Sequence, residues 1–380
     1  MTEKVLTHQA RSAHTAQTDT ATAVTEILAG LEGVDAAALI FFAAPTHDGA
    51  VILERLADRF PEKPVIGCTT AGEFDQNGMS DGGLTAIALP HGMINRAVAA
   101  MAEFDNGVDA AVKAAVRSLE DQANVTLRDL NPDRYVGLVL IEGMHGREER
   151  VNEVLGNAAP LLSFVGGTAG DDLKFDVTQV YSGSTTSTNG IALMLLDLAV
   201  PFTVLRTCSY EPIGRTLSIT KADKEKRTVW EIDNRPAAEV YAEALGTTVE
   251  DLDFSQFATY PLGLMINGQP WIRCVQQVLD GRGLTFACQL LEGMDVEVMR
   301  SIDLVAETRT AIQQAVNQVG GTASGAVLFN CVHRKAEIEK KNLADGFIDS
   351  LGGIPSAGFH TYGESWLGHM NCTLTGVVFG

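Results

Sequence analysis

Three segments of the chain repeat one pattern of hydrophobic and polar residues. In each, a continuous apolar run leads into an amphipathic segment, a second short apolar run, and a glycine followed by an acidic residue. The copies span residues 37–74, 137–172 and 326–364, and a further apolar run follows each of them. The pattern predicts a β-α-β-turn-β unit that is used three times along the chain.

Each copy carries a histidine just after its first predicted strand, namely His47, His145 and His333. Each copy also closes on a glycine and an acid, in the pairs Gly72-Glu73, Gly170-Asp171 and Gly363-Glu364. Glycine at such a point supplies backbone conformations that other residues avoid. The carboxylate that follows can bond nearby backbone amides. The sequence leaves open whether these acids brace their turns or line a ligand site.

The amphipathic segments have helical spacing, with Ile52, Leu56 and Phe60 on one face of the first. The predicted strands, such as LIFFA at residues 39–43, are continuous apolar runs, which are typical of strands buried on both faces. We therefore predict an α/β fold of layered mixed sheets with flanking helices, built from repeated β-α-β-β units. The sheets should lie inside and the helices outside.

The segment between the second and third copies differs. Residues 200–233 are rich in β-branched and aromatic residues and predict antiparallel strands around a charged hairpin turn at residues 221–227. Three more strands are predicted within residues 257–293, with turns at Asn267-Gly268 and at residues 281–283. A long helix should follow at about residues 301–319. We place a domain boundary between Asp233 and Asn234, which gives domains of residues 25–233 and 234–380.

Charge and cysteine content narrow the possible partners and compartment. The chain of 380 residues has 28 basic and 48 acidic residues, a net charge of −20 that repels nucleic acid and anionic lipid surfaces. No apolar run approaches the roughly 20 residues of a membrane span, and we expect no signal peptide. The six cysteines form no C-x-x-C pair. We therefore expect reduced, buried thiols and a cytoplasmic protein.

A group of polar residues follows the predicted strand ends of the last third of the chain. Its members are Arg273, His333, Arg334, His360, Tyr362, Glu364, His369 and Asn371. The group offers positive charge, an aromatic ring and hydrogen bonds, but no activated nucleophile. Nucleotide-binding and hydrolase signatures are also absent from the sequence. We predict a binding site and no enzymatic activity, with a preference for an anionic group such as a carboxylate or a haem propionate.

The chain resembles the FIST family of sensory domains from bacterial signalling proteins. The similar stretches include VIGCTTAGEF, LLSFVGGTAGDD, YPLGLMINGQPWIR, GAVLFNCVHR and GFHTYGESWLGHMNCTLTGVVFG, and the resemblance extends from about residue 25 to 380. It implies an N-terminal FIST domain followed by a C-terminal FIST domain that together sense a small ligand. The family pattern matches Glu364, His369, Asn371 and Arg273, whereas His360 departs from it.

A stand-alone branch of the family binds haem, senses nitric oxide and regulates a separate histidine kinase or cyclic-di-GMP enzyme. The resemblance therefore implies a haem-based sensor, with His369 or His360 as the axial ligand. The haem would be held non-covalently, because the chain has no C-x-x-C-H attachment motif.

Three alternatives stay open at this point. The ligand of the sensor could be an amino acid or another small carboxylate metabolite. The protein could be an enzyme that uses His333 or His369 with Glu364 as an acid–base pair. It could also be a scaffold that binds only proteins.

Overall fold

The computed structural model describes residues 8–380. Residues 1–7, which belong to the segment expected to lack a signal peptide, lie outside the described residues. Within residues 8–380 the α-helices are α1 (Thr20–Gly30), α2 (Gly49–Arg59), α3 (Val108–Ala123), α4 (Glu148–Ala158), α5 (Ala237–Leu245), α6 (Phe254–Thr259), α7 (Leu304–Gln318), α8 (Val332–Lys340) and α9 (Ala344–Ser350). No helix of this part of the chain is long and apolar enough to cross a lipid bilayer.

The strands of the first two repeats are β1 (Arg11–Thr15), β2 (Ala36–Ala43), β3 (Val65–Thr69), β4 (Glu73–Phe74), β5 (Met79–Ser80), β6 (Leu84–Pro90), β7 (Ile94–Glu103), β8 (Tyr135–Ile141), β9 (Phe164–Thr168), β10 (Val180–Ser182), β11 (Thr185–Ser187) and β12 (Gly190–Leu198). The middle strands are β13 (Phe202–Cys208), β14 (Tyr210–Asp223), β15 (Thr228–Ile232), β16 (Arg235–Pro236), β17 (Leu262–Ile266), β18 (Gln269–Arg273), β19 (Val275–Leu279), β20 (Gly283–Phe286) and β21 (Asp295–Ser301). The third repeat adds β22 (Gly325–Cys331), β23 (Ser356–Thr361), β24 (Glu364–Ser365), β25 (His369–Met370) and β26 (Thr373–Phe379).

The three repeats form three sheets with the same central strand order. In the first, β2 lies between the parallel strand β3 and the antiparallel strand β6. In the second, β8 lies between β9 and β12 in the same way, and in the third β22 lies between β23 and β26. The predicted fold class of layered mixed sheets built from β-α-β-β units is confirmed.

The repeats exchange short hairpins in a cycle. The hairpin β4–β5, which follows the turn of the first repeat, extends the sheet of the third repeat at β23. The hairpin β24–β25 of the third repeat extends the second sheet at β9, and β10–β11 of the second repeat extends the first sheet at β3. The three repeats are therefore interlocked.

The inner faces of the three sheets share one hydrophobic core, and the outer faces are covered by helices. Phe42, Phe329 and Phe359 meet in this core, with the rings of Phe42 and Phe359 only 4.6 Å apart between centroids. The arrangement explains the continuous apolar runs, because each central strand is covered on both faces. Helices α1 and α2 pack outside the first sheet, α3 and α4 outside the second, and α7 to α9 outside the third.

The amphipathic segment of the third repeat differs from the prediction of one helix. It is divided into α8 and α9 by a turn in which Asn342 has a φ of +54°. The left-handed backbone ends α8 and starts α9 in a new direction. The first turn of α8 then carries His333, so that this histidine lies on a helix and not in a loop.

A fourth sheet is inserted between the second and third repeats. Its strand order is β18-β17-β21-β14-β15-β20-β19, with β16 paired to β15. The predicted turn at Asn267-Gly268 joins β17 and β18, but four strands, not three, lie between residues 262 and 286. The expected boundary at Asp233-Asn234 falls in the tight turn between β15 and β16, so the fourth sheet has strands from both sides of it.

The six cysteines, which the sequence predicts to be reduced and buried, include one pair that the fold brings together. The sulfur atoms of Cys274 and Cys372 are in contact, although 98 positions separate the residues in the sequence. The other four cysteines are free. Sequence spacing did not reveal the pair because the fold brings β18 of the fourth sheet against the last hairpin of the third repeat.

Candidate functional site

A cavity of about 650 Å³ opens where the second repeat, the third repeat and the fourth sheet meet. We call it the α8 cavity, because α8 forms one of its walls. The loops after β8 and β9 form the opposite side, and the β14–β15 turn with β19 closes the polar end. Loops and helix ends that converge on one concavity are the usual setting for a small-molecule site.

The apolar wall of the α8 cavity consists of Met144, Leu173, Phe175, Phe254, Val332 and Tyr362. The rings of Phe175 and Tyr362 are stacked with centroids 5.0 Å apart. Phe175 and Phe254 are also large apolar side chains that stay about half exposed, at 57% and 50%. Aromatic side chains left open to solvent at a cavity are available for contact with a ligand.

The loop that carries Phe175 has an unusual backbone. Asp172, Leu173 and Phe175 have φ angles of +55°, +60° and +53°, which residues other than glycine rarely adopt. Backbone strain of this kind, about 1–3 kcal/mol at each residue, persists only where surrounding contacts enforce it, and it concentrates at functional sites. Here the strained backbone holds two apolar side chains at the mouth of the cavity.

Asp171 enforces this conformation. Its carboxylate accepts hydrogen bonds from the backbone N–H groups of Phe175, Asp176 and Val177, at 3.0, 2.6 and 3.1 Å. The hydroxyl of Tyr362 also donates to it. Burial alone would raise the pKa of Asp171, but these hydrogen bonds outweigh it and hold the pKa below its ordinary value.

The polar wall contains Arg227 and Glu148, which form a largely buried ion-pair cluster with Glu149. The guanidinium of Arg227 donates to both carboxylates, at 2.5 and 2.6 Å, and to the carbonyl of Ala287 at 2.9 Å. Burial opposes the charge of Arg227, yet the two carboxylates raise its pKa above the ordinary value. The cluster carries two negative charges and one positive charge, and Gln276 and Gln277 add neutral polar groups beside it.

His333 is the titratable side chain of the α8 wall. Its ring stacks on Phe254 at 5.5 Å, and only 7% of the residue is exposed. Burial lowers the pKa of His333 to about 4, so the imidazole is neutral at neutral pH. Its Nδ1 lies 3.6 Å from the sulfur of Cys331.

Of the eight predicted site residues, His333 and Tyr362 line the α8 cavity. Arg334 is fully buried and bonds Asn330, Ser209 and Thr308, at 2.9, 2.9 and 2.7 Å. Arg273 donates to the carbonyl of Ile272, and its Nε is buried with no hydrogen-bond partner among residues 8–380. Arg334 thus joins β22, α7 and the β13–β14 connection within the protein, away from the cavity.

His360 lies inside the third repeat and not at the cavity. Its ring packs against Phe74 and Phe347, and its Nδ1 is 2.9 Å from the amide nitrogen of Asn330. Burial, followed by the charges of Lys335 and Arg334, lowers the pKa of His360 well below its ordinary value. The ring is therefore neutral, and its Nε2 has no partner within the described residues.

Glu364, His369 and Asn371 lie behind Tyr362 and not on the cavity surface. Glu364 accepts hydrogen bonds from the N–H and hydroxyl of Thr373 at 3.0 and 2.6 Å, and burial raises its pKa to about 8. His369 contacts the carbonyl of Ala287 through Nε2 at 3.2 Å. Asn371 donates to the carbonyl of Tyr362 at 3.4 Å. These residues support the turn that positions Tyr362.

Sequence reasoning missed most of the residues that form the cavity. Phe175 lies in a segment without periodicity, and Arg227 lies in a charged stretch that was interpreted only as a hairpin turn. Glu148 and Glu149 are recognisable in the sequence as adjacent acids at a helix N-terminus, where the helix dipole stabilises negative charge. That explanation does not indicate that they pair with Arg227.

The fold is one of repeated α/β units with an inserted sheet, and the candidate site is the cavity between them. The model of the FIST N domain matches residues 37–235, and that of the FIST C domain matches residues 237–366. The chain belongs to the FIST family, whose domains sense small ligands in signalling proteins. No curated protein matches the chain.

Proposed function

We propose that this protein is a sensor that binds a small zwitterionic metabolite, such as an amino acid with an apolar or aromatic side chain, in the α8 cavity. The observation that carries the proposal is the strained loop of residues 172–175, which holds Leu173 and Phe175 exposed over a cavity of about 650 Å³. Such a loop costs stability, and it leaves both apolar side chains about half exposed to solvent.

The chemistry of the walls supports a zwitterion. The carboxylates of Glu148 and Glu149 together outnumber the guanidinium of Arg227, so the polar end of the cavity favours an ammonium group. Gln276 and Gln277 can donate to a ligand carboxylate. The aromatic wall can cover the ligand's apolar part. This proposal keeps the carboxylate expected from the sequence, but it adds a cationic group.

Haem is the second candidate, and one observation favours it. His333 lines the α8 cavity with a neutral imidazole, which is the form that binds iron, and Phe175 and Phe254 could cover a porphyrin face. Haem would supply an iron that binds a diatomic gas such as nitric oxide. The residues fit less well at the polar end, because the excess of carboxylate disfavours propionates. We therefore place the metabolite first.

Binding without catalysis is part of the proposal. An enzyme would use Glu364 with His333 or His369 as an acid–base pair. Such a pair is poorly suited to catalysis, because Glu364 is fully buried and hydrogen-bonded to Thr373. A separate histidine kinase or cyclic-di-GMP enzyme is the output partner that we propose, in line with the family resemblance.

A ligand screen tests the first candidate. Amino acids and their close analogues should raise the thermal stability of the wild type, by about 2.7 kcal/mol at a concentration of 100 times Kd. Phe175→Ala should weaken the binding of a hit, whereas Leu161→Ala, a matched exposed apolar residue away from the cavity, should not. The proposal fails if no zwitterion binds, or if Phe175→Ala binds as tightly as the wild type.

Haemin titration tests the second candidate. Formation of a Soret band that His333→Ala abolishes or shifts would favour haem in the α8 cavity. His360→Ala and His369→Ala serve as comparisons, because neither ring lines that cavity. A band that depends on His360 or His369 would instead support the axial ligands inferred from the resemblance and would place the haem elsewhere.

A further inference from the structure

Two cysteines and a histidine converge behind the α8 wall. The ligand atoms of Cys274, His333 and Cys372 all lie within 4.8 Å of one another, and the three residues are buried. Both cysteines are completely inaccessible to solvent. The three residues have no familiar metal-ligand spacing in the sequence, but the fold brings them together from distant segments.

Each of the three residues comes from a different structural unit. Cys274 lies between β18 and β19 of the fourth sheet, His333 in the first turn of α8, and Cys372 in the turn between β25 and β26. The backbone of Cys372 is left-handed, with a φ of +59°. A residue other than glycine is strained in this left-handed conformation. The strained turn directs this thiol toward Cys274 and His333.

A bond between the two sulfurs accounts poorly for this arrangement. The Cα atoms of Cys274 and Cys372 are 7.3 Å apart, whereas disulfide-bonded cysteines usually have Cα atoms roughly 4.4–6.8 Å apart. A disulfide would also leave the nearby imidazole of His333 unexplained. An ion bound between two thiolates needs a wider separation, and it uses the histidine as a third ligand.

We propose that Cys274, His333 and Cys372 bind a divalent zinc-type ion. Two thiolates and one neutral imidazole form a ligand set that zinc accepts, with the fourth position left for water or a ligand atom. Each thiol loses its proton when the ion binds, and no oxidant or reductant is required. The inference does not depend on the proposed metabolite.

The ion would connect the fourth sheet to the third repeat at the wall of the α8 cavity. His333 faces the cavity, whereas Cys274 and Cys372 are fully buried. Bound metal would thus fix the position of α8 relative to β18 and β19. Because structural metal sites contribute directly to folding stability, removal of the ion should loosen these segments first.

Metal content and thiol count test the proposal on the full chain. Protein purified without chelator should contain about one zinc per chain. It should show six free thiols when denatured without reductant, one for every cysteine. After removal of zinc under reducing conditions, added Co²⁺ should give the thiolate charge-transfer and tetrahedral d–d bands of a Cys₂His site. The proposal is overturned if the fully reduced, folded wild type contains no stoichiometric metal and gives no such bands.

Variants locate the site. Cys274→Ser, Cys372→Ser and His333→Gln should each lower the metal content and weaken Co²⁺ binding by at least an order of magnitude. Cys208→Ser is the matched control, because Cys208 packs against the same hydrophobic cluster but is not one of the three residues. Equal loss of metal in Cys208→Ser would contradict the assignment. Four free thiols in the wild type, without metal, would indicate a disulfide instead. The Co²⁺ test on the wild type remains decisive if a variant fails to fold.

Discussion

The hydroxyl of Tyr362 donates a hydrogen bond to the carboxylate of Asp171. The same oxygen accepts hydrogen bonds from the backbone N–H groups of Asp171 and Leu173, with N···O distances of 3.2 and 2.8 Å. The turn of the third repeat therefore holds the loop of the second repeat in its strained conformation. The ring of Tyr362 also stacks on Phe175 at the mouth of the α8 cavity. One side chain thus joins the interlocked core to the candidate ligand site.

Tyr362→Phe should destabilise the protein by about 1–3 kcal/mol, because two backbone donors and one carboxylate lose a partner. The pKa of Asp171 should rise, since the Tyr362 hydroxyl helps to lower it. Hydrogen exchange of residues 171–178 should become faster, and affinity for a cavity ligand should fall. Tyr135→Phe is the control, because its hydroxyl bonds Asp197 away from the cavity. Unchanged exchange in residues 171–178 would show that the hydroxyl does not hold the loop.

Glu73→Gln should change how stability depends on pH. Burial raises the pKa of Glu73 to about 8 from an ordinary 4.5. At a pH between these two pKa values, the Glu73 carboxyl is ionised in the unfolded protein but protonated in the folded protein. The free energy of unfolding therefore falls as pH rises through this range, by up to about 1.4 kcal/mol per pH unit. The amide does not ionise, so the variant should lose this contribution.

Urea unfolding of Glu73→Gln from about pH 5 to 9 measures the effect. The variant should gain stability relative to the wild type as the pH rises. Glu54→Gln, at an exposed position of α2, should leave the pH profile close to that of the wild type. Parallel curves for Glu73→Gln and the wild type would mean that Glu73 is ionised in the folded protein.

Gly170→Ala should separate the turns of the first two repeats. A Cβ at Gly170 would lie 2.7 Å from the nitrogen of Ala71 and 2.9 Å from the carbonyl carbon of Thr70. Neither backbone atom can rotate away, so we expect a loss of about 1–3 kcal/mol. Gly156→Ala is the control, since nothing lies within 4 Å of its added Cβ. In α4 that change should stabilise by about 0.5–1 kcal/mol. Denaturant unfolding of both variants decides the prediction, which a tolerated Gly170→Ala would contradict.

Arg227→Gln should loosen the fourth sheet from α4. It leaves the carboxylates of Glu148 and Glu149 without their cation, at a cost of roughly 3 kcal/mol. Arg235→Gln removes an exposed pair with Glu243 and should destabilise the protein far less, because solvent screens that pair. Unfolding curves and hydrogen exchange in residues 221–232 compare the two variants. Equal effects would show that the buried cluster stabilises no more than a surface pair.

The candidate site shows where sequence reasoning stopped. Tyr362 and His333 could be predicted because they follow strands in a repeated unit. Phe175 and Arg227 could not, since their roles depend on contacts with Tyr362 and Glu149 from distant segments. Arg273, His360 and His369 were predicted to converge on one pocket. That prediction depended on the directions of their side chains, which a position at the end of a strand does not determine. The structure places His360 in the core of the third repeat and His369 behind Tyr362.

The sequence by itself determined the repeated unit, because continuous apolar runs and helical spacing reflect which faces of each element are buried. It also determined the glycine-acid turns. Only the tertiary structure decided how the repeats join. Strands β4 and β24 have two residues each, too few for any hydrophobic pattern, and their partners β23 and β9 lie in other repeats. Long-range packing set that exchange, the cavity that it frames and the meeting of Cys274, His333 and Cys372, because each depends on distances that local residue preferences do not encode.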